Sequence, residues 1–159
     1  MWFYEDMPFG LRLDLGGATV TPEAIVRFAG KFDPQAFHLS EAGGRASHFG
    51  GLVASGWHTG SLFMRAFVDF ADRLGAEMRA RGEPVARLGP SPGFEDMRWP
   101  KPVHAGDRLA FTMTPIDGRS LASRPEWALV TFDSNAHNQD GAAVMSFRGK
   151  VFIERRERH

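Results

Sequence analysis

Between Gly56 and Leu74 apolar side chains return at helical spacing, with Thr59, Leu62, Phe63, Ala66, Phe67, Phe70, Ala71 and Leu74 on one face. Met64 and Val68 widen that face, while Arg65, Asp69, Asp72, Arg73 and Glu77 lie largely elsewhere. A helix with so broad an apolar surface has to be buried, and a sheet is the natural cover. The chain supplies one downstream. Breaks at Gly82-Glu83-Pro84 and Gly89-Pro90-Ser91-Pro92-Gly93 are followed by a strand-like half that begins at Phe94–Trp99. Leu109, Phe111 and Met113 alternate with smaller residues, and Leu129–Phe132 forms a further partly buried strand. Asn138-Gln139-Asp140-Gly141 is a turn before Met145, Phe147, Val151 and Ile153. The expectation is an α+β fold, several antiparallel strands around one long helix, as a single domain over residues 1–159. No repeat or linker divides the chain, and the charged stretch Glu154–His159 reads as a solvated tail.

Upstream of the helix, Trp2, Phe3 and Tyr4 suggest an amino-terminal strap, with a turn at Pro8 and Gly10. Thr21-Pro22-Glu23 starts a short helix, because threonine caps and proline is tolerated in the first turn. The helix should stop at Asp33-Pro34, since proline restricts the residue before it. Asp33 and His38 are thereby expected on a bend or loop, and Glu41–Gly51 is too rich in small residues for a long strand.

Nineteen basic and nineteen acidic residues leave no net charge, so nothing in the overall electrostatics favours nucleic acid. The aromatic residues read as core and pocket material rather than a base-stacking surface. With no cysteine there is no disulfide, thiolate nucleophile or cysteine-bound metal. The start Met1-Trp2-Phe3-Tyr4-Glu5-Asp6 lacks the pattern of a signal peptide, and no run is apolar enough to span a bilayer; a cytoplasmic protein is expected. His38, His48 and His58 recur every ten residues, which is no ligand motif, and Asp133 with His137 reads as a local pair, so no metal is expected. Gly50-Gly51 lacks the lysine and hydroxyl of a phosphate loop, and no Gly-x-Ser-x-Gly elbow or dinucleotide fingerprint occurs.

What remains is Phe32-Asp33-Pro34-Gln35-Ala36-Phe37-His38, a carboxylate and an imidazole five residues apart, followed by Phe49-Gly50-Gly51-Leu52-Val53-Ala54-Ser55-Gly56-Trp57-His58. Such a pair can hold one water between a base and an acid, and the helix start beside it can offer a backbone N–H to an acyl oxygen. Hydration or dehydration of an activated acyl group is the chemistry this suggests. Gln35, Phe37, His48, Ser55, Trp57 and His58 are candidate pocket residues. Each also has a plainer reading: Ser55 as support for the helix start, His58 as a packing residue, His48 on a surface turn, and Gly56 as a cap.

The order of these parts resembles the MaoC-like acyl-CoA dehydratases and the related (R)-specific enoyl-CoA hydratases. The resemblance runs from the Phe3-Glu5-Asp6 and Gly10 opening through the Asp-to-His motif and the long helix. It continues to Arg98-Trp99-Pro100, Pro102-Val103 and Gly106-Asp107. It implies a hotdog fold and a homodimer or larger assembly. It also implies catalytic roles for Asp33 and His38, with the Gly56 N–H on the thioester oxygen. The segment departs from the family's Asp-x-Asn-Pro-hydrophobic-His pattern, with Gln35 at the asparagine position and Ala36 at the proline position. The implied activity is reversible hydration of an acyl-CoA of small to medium acyl length, with coenzyme A as part of the substrate and no separate cofactor. The alternatives are a non-catalytic acyl-CoA binding or regulatory protein and, further off, a thioesterase. A coenzyme A substrate needs local positive charge, for which Arg98, Lys101, Arg108, Arg119 and Arg124 are the candidates.

Overall fold

The computed structural model describes residues 1–156. After a 3-10 turn at Tyr4–Asp6 the elements run β1 (Leu13–Thr19), α1 (Pro22–Phe32), α2 (Ala36–Leu39), α3 (Glu41–Arg45) and α4 (Gly56–Ala80). The second half is all strand: β2 (Gly93–Arg98), β3 (Arg108–Leu121), β4 (Arg124–His137) and β5 (Ala143–Glu154). The five strands form one antiparallel sheet in the order β1-β3-β4-β5-β2, which wraps α4 in the hotdog arrangement.

The alternation expected for the late strands is present and decides which face holds the helix. On β4, Ala128, Val130, Phe132, Ser134 and Ala136 are buried, and on β3 so are Leu109, Phe111 and Met113. Their partner is α4, 25 residues long and thus about 37 Å at 1.5 Å per residue. Phe63, Ala66 and Phe67 enter the core, with Leu62, Phe70 and Leu74 packed around them. Phe63 meets the rings of Phe111 and Phe147 edge-on at 5.9 and 5.0 Å, joining the helix to β3 and β5 at one point.

The amino-terminal strap is real. Met1 and Met7 are buried, Trp2 packs on Phe70, and the Tyr4 hydroxyl donates to the Gly118 carbonyl at 3.0 Å. The carboxyl-terminal stretch, expected as a solvated tail, is tied to the rest of the chain by surface ion pairs as far as it is described. Glu154 belongs to β5 and pairs with Arg87, while Arg155 and Arg156 pair with Glu5 and Asp6 of the strap. The rest of that stretch, residues 157–159, lies outside the described residues.

Two local features differ from the sequence reading. β1 was not anticipated; it carries two glycines, and Gly16 sits at φ +92 beside a register shift. Gly17 is required by the pairing itself, since a Cβ there would lie 2.2 Å from the Leu109 carbonyl oxygen on β3. His38, expected on a bend, lies on the short helix α2. Pro34 ends α1, but Gln35 returns in extended geometry and the His38 N–H bonds its carbonyl, closing one more turn.

Replacing Phe63 with alanine should cost about 3–5 kcal/mol, because it empties the contact between helix and sheet. A denaturant midpoint shift worth less than about 1 kcal/mol would show that α4 is not held there.

Candidate active site

Asp33 and His38 are brought together by the interruption that Pro34 makes. Asp33 caps the end of α1 at φ −153, and α2 turns His38 back toward it, so that His38 Nε2 lies 3.4 Å from Asp33 Oδ2. His38 is buried, and its Nδ1 is 2.7 Å from the Val53 carbonyl oxygen. A carbonyl only accepts, so Nδ1 carries a proton, and in the neutral form of the ring the lone pair lies at Nε2. The 3.4 Å gap is longer than an ordinary hydrogen bond, and both groups line the same cavity.

Asp33 is held on both oxygens. Gln35 Nε2 donates to Oδ1 at 2.7 Å and Ser55 Oγ donates to Oδ2 at 2.7 Å. These two donors, Gln35 first, hold its carboxyl below the usual aspartate range, with His38 adding to the effect. The departure at Gln35 therefore has a consequence: the longer amide reaches the carboxylate of its own motif. Ser55 is fully buried and joins two elements, since its Oγ also accepts the Trp57 N–H at the start of α4. Gly56 is the first residue of that helix, so its N–H has no acceptor within the helix and sits at the positive end of the dipole.

A cavity of about 620 Å³ gathers most of the residues singled out in the sequence. Asp33, Gln35, Phe37, His38, His48, Ser55, Gly56, Trp57 and Lys101 all line it. Trp99, Pro100, Pro102 and Val103 also line it, which was not anticipated; the only signal was the Trp-Pro-Lys-Pro run itself. His58 is absent from the lining. It is buried against Phe28, ring on ring at 4.8 Å, and its Nδ1 has no hydrogen-bond partner among the described residues. Burial, with Arg27 nearby, pushes its pKa down, so it packs as a neutral ring.

Of the five basic candidates only Lys101 lines this cavity. Arg98 ends β2 in a separate polar depression with Asp96, Asp133 and Arg148. Arg108 starts β3, where its N–H bonds Gln139, and Arg119 and Arg124 lie at the far hairpin of β3 and β4. Among the described residues no three histidine or acidic side chains are grouped as metal ligands would be. No described helix is long and apolar enough to cross a membrane.

Comparison with known proteins agrees with this geometry. Residues 11–129 match the family described as MaoC like domain. The crystal structure of the MaoC-like dehydratase from Rhodospirillum rubrum superposes with a TM-score of 0.81 and 37% identity, covering 99% of this chain and 100% of that one. Bacillus subtilis (strain 168) has a similar uncharacterized protein, YdeM, 27% identical over 141 residues, which is 86% of this chain and 87% of YdeM. A mesaconyl-CoA hydratase of Haloarcula marismortui is 33% identical over 66 residues, 41% of this chain but only 18% of that enzyme.

The two donors to Asp33 can be told apart. Gln35→Ala and Ser55→Ala should each raise the Asp33 pKa, moving the acid limb of the kcat/KM profile to higher pH, because the ionised carboxylate loses a stabilising donor. Ser55→Ala should also lose about 0.5–2 kcal/mol of stability as the α4 cap disappears. Acid limbs that stay put in both variants would mean that these hydrogen bonds do not tune Asp33.

Proposed function

The chain belongs to the MaoC-like dehydratase family, and from that premise we propose that it interconverts an enoyl-CoA and its β-hydroxyacyl-CoA by adding and removing water. The reaction is that of a hydro-lyase. The observation that carries the reading is the fixed tautomer of His38. The Val53 carbonyl holds the proton on Nδ1, which leaves Nε2 as an acceptor facing the Asp33 carboxylate in the cavity that the first N–H of α4 also lines.

In hydration the thioester oxygen takes the Gly56 N–H, and the conjugated double bond makes the β-carbon electrophilic. A water held between Asp33 Oδ2 and His38 Nε2 donates one hydrogen bond to each. As its oxygen bonds to the β-carbon, a proton passes to Asp33, and the negative charge that develops on the thioester oxygen is met by the Gly56 N–H and the α4 dipole. The proton then moves to the α-carbon. The product has gained H and OH, the pair is restored, and dehydration is the reverse. His38 orients the water and assists the transfer, and Asp33, ionised at neutral pH as an ordinary aspartate is, serves as the base.

Lys101, the one of the five basic candidates that lines the cavity, is assigned to a phosphate of the coenzyme A moiety. The setting that goes with an acyl-CoA substrate is the cytoplasm. A homodimer is part of the same reading. Trp57, Met64 and Val68 form one stripe along α4, 55%, 51% and 40% exposed, and Phe94 on the edge strand β2 is 51% exposed. Together they leave an apolar surface that a second copy would cover.

Asp33→Asn and His38→Gln should each lower single-turnover hydration and dehydration by about 10²–10⁴-fold while leaving thermal unfolding and acyl-CoA binding close to wild type. Folded variants that keep wild-type rates in both directions would remove the pair from the chemistry. Release of free thiol, measured alongside, would point instead to thioester hydrolysis. Sedimentation equilibrium over a dilution series should show a dimer at catalytic concentrations, and an active monomer throughout would refute the assembly.

A further inference from the structure

The first turn of α4 carries a contact that the acid–base chemistry does not use. A Cβ built on Gly56 would lie 2.6, 2.7 and 3.0 Å from Cε2, Cδ2 and Cζ2 of Trp99, so the indole rests on the helix where no side chain could stand. Trp99 meets Trp57 edge-on at 5.3 Å between ring centroids. It follows β2 directly and leads into Pro100-Lys101-Pro102, whose prolines confine the backbone beside it. Trp99 is nevertheless 39% exposed as a residue, and it lines the cavity that holds Asp33 and His38. Glycine at this position thus does two things: it offers an N–H and it makes room for a fixed aromatic wall next to it.

We infer that Trp99 selects the acyl group, admitting chains that are slim at the carbons next to the thioester carbonyl and rejecting those branched there. The inference rests on the acyl-CoA reading above. A carbonyl oxygen at about 2.7–3.2 Å from the Gly56 N–H brings its α-carbon alongside the ring that covers the adjacent Gly56 Cα. A flat, unbranched chain can lie along the indole face. A methyl group that leaves the carbonyl plane runs into the ring, whose retreat toward the helix is blocked by Gly56.

Butyryl-CoA and isobutyryl-CoA contain the same atoms and differ only in the branch at the α-carbon; being saturated, neither can be turned over by hydration. Titration calorimetry of both with wild type, Trp99→Ala and Trp99→Phe tests the wall directly. Wild type should bind the straight isomer at least about tenfold more tightly, Trp99→Ala should bring the two within about threefold, and Trp99→Phe should fall between. Circular dichroism and thermal unfolding check the variants, and the phenylalanine variant decides the matter if the alanine variant does not fold. A wild type with no preference, or a preference unchanged in the folded variants, overturns the inference. Binding is read apart from turnover, so the two readings fail separately. A protein that discriminates the isomers but does not hydrate enoyl-CoAs refutes the reaction and leaves the wall standing. One that hydrates them with an unchanged preference refutes only the wall.

Discussion

The burial of α4 against the sheet is the constraint on which the other features depend. Phe63 packs between Phe111 and Phe147, and once that contact fixes the helix, its first turn can lie at only one place relative to β5 and the segment after β2. The cavity forms there, because Thr59 and Gly56 come from the helix, Val144 from β5 and Trp99 from the end of β2. A site assembled from several elements in this way has the rigidity of the packed core beneath it. That rigidity matters for acid–base chemistry, in which a small displacement of either group is costly.

The polar contacts at that corner are arranged so that each group fixes another. Ser55 caps α4 and donates to Asp33, which ties the end of α1 to the start of the long helix. Val53, two residues earlier, sets the His38 tautomer, and its own N–H is bonded to the Phe37 carbonyl. The stretch from Val53 to Gly56 therefore orients the histidine, the carboxylate and the N–H donor within four residues. Gln35 supplies the last restraint, from the one motif position whose side chain is longer than the family pattern has.

Much of this was legible because it is local. Helical spacing from Thr59 to Leu74, alternation along β3 and β4, and the threonine cap with proline at the start of α1 are short-range signals, and each element is found where they put it. The Asp-to-His spacing and the small-residue approach to Gly56 were enough to name eight of the eighteen residues that line the cavity. Less legible were features made by contacts far apart in sequence. β1 went unread as a strand, and it is the pairing with β3 that leaves no room for a side chain at Gly17. His58, three residues from Ser55, carried both a pocket and a packing reading, and only the helix rotation that turns it onto Phe28 decides for packing. The charges after β5 read as a tail because their partners, Glu5 and Asp6, lie at the opposite end of the chain.

The sequence by itself determined the element types, the face of α4 that is buried and the residue types able to do acid–base chemistry, because periodicity and side-chain chemistry are properties of neighbouring residues. Tertiary structure alone decided which groups act on one another. It set the donors on each oxygen of Asp33, the protonated nitrogen of His38, the indole lying on Gly56, and Lys101 as the one basic candidate at the cavity. Those are relations between segments, and they come into being only when burial of the long helix brings the segments to the same corner.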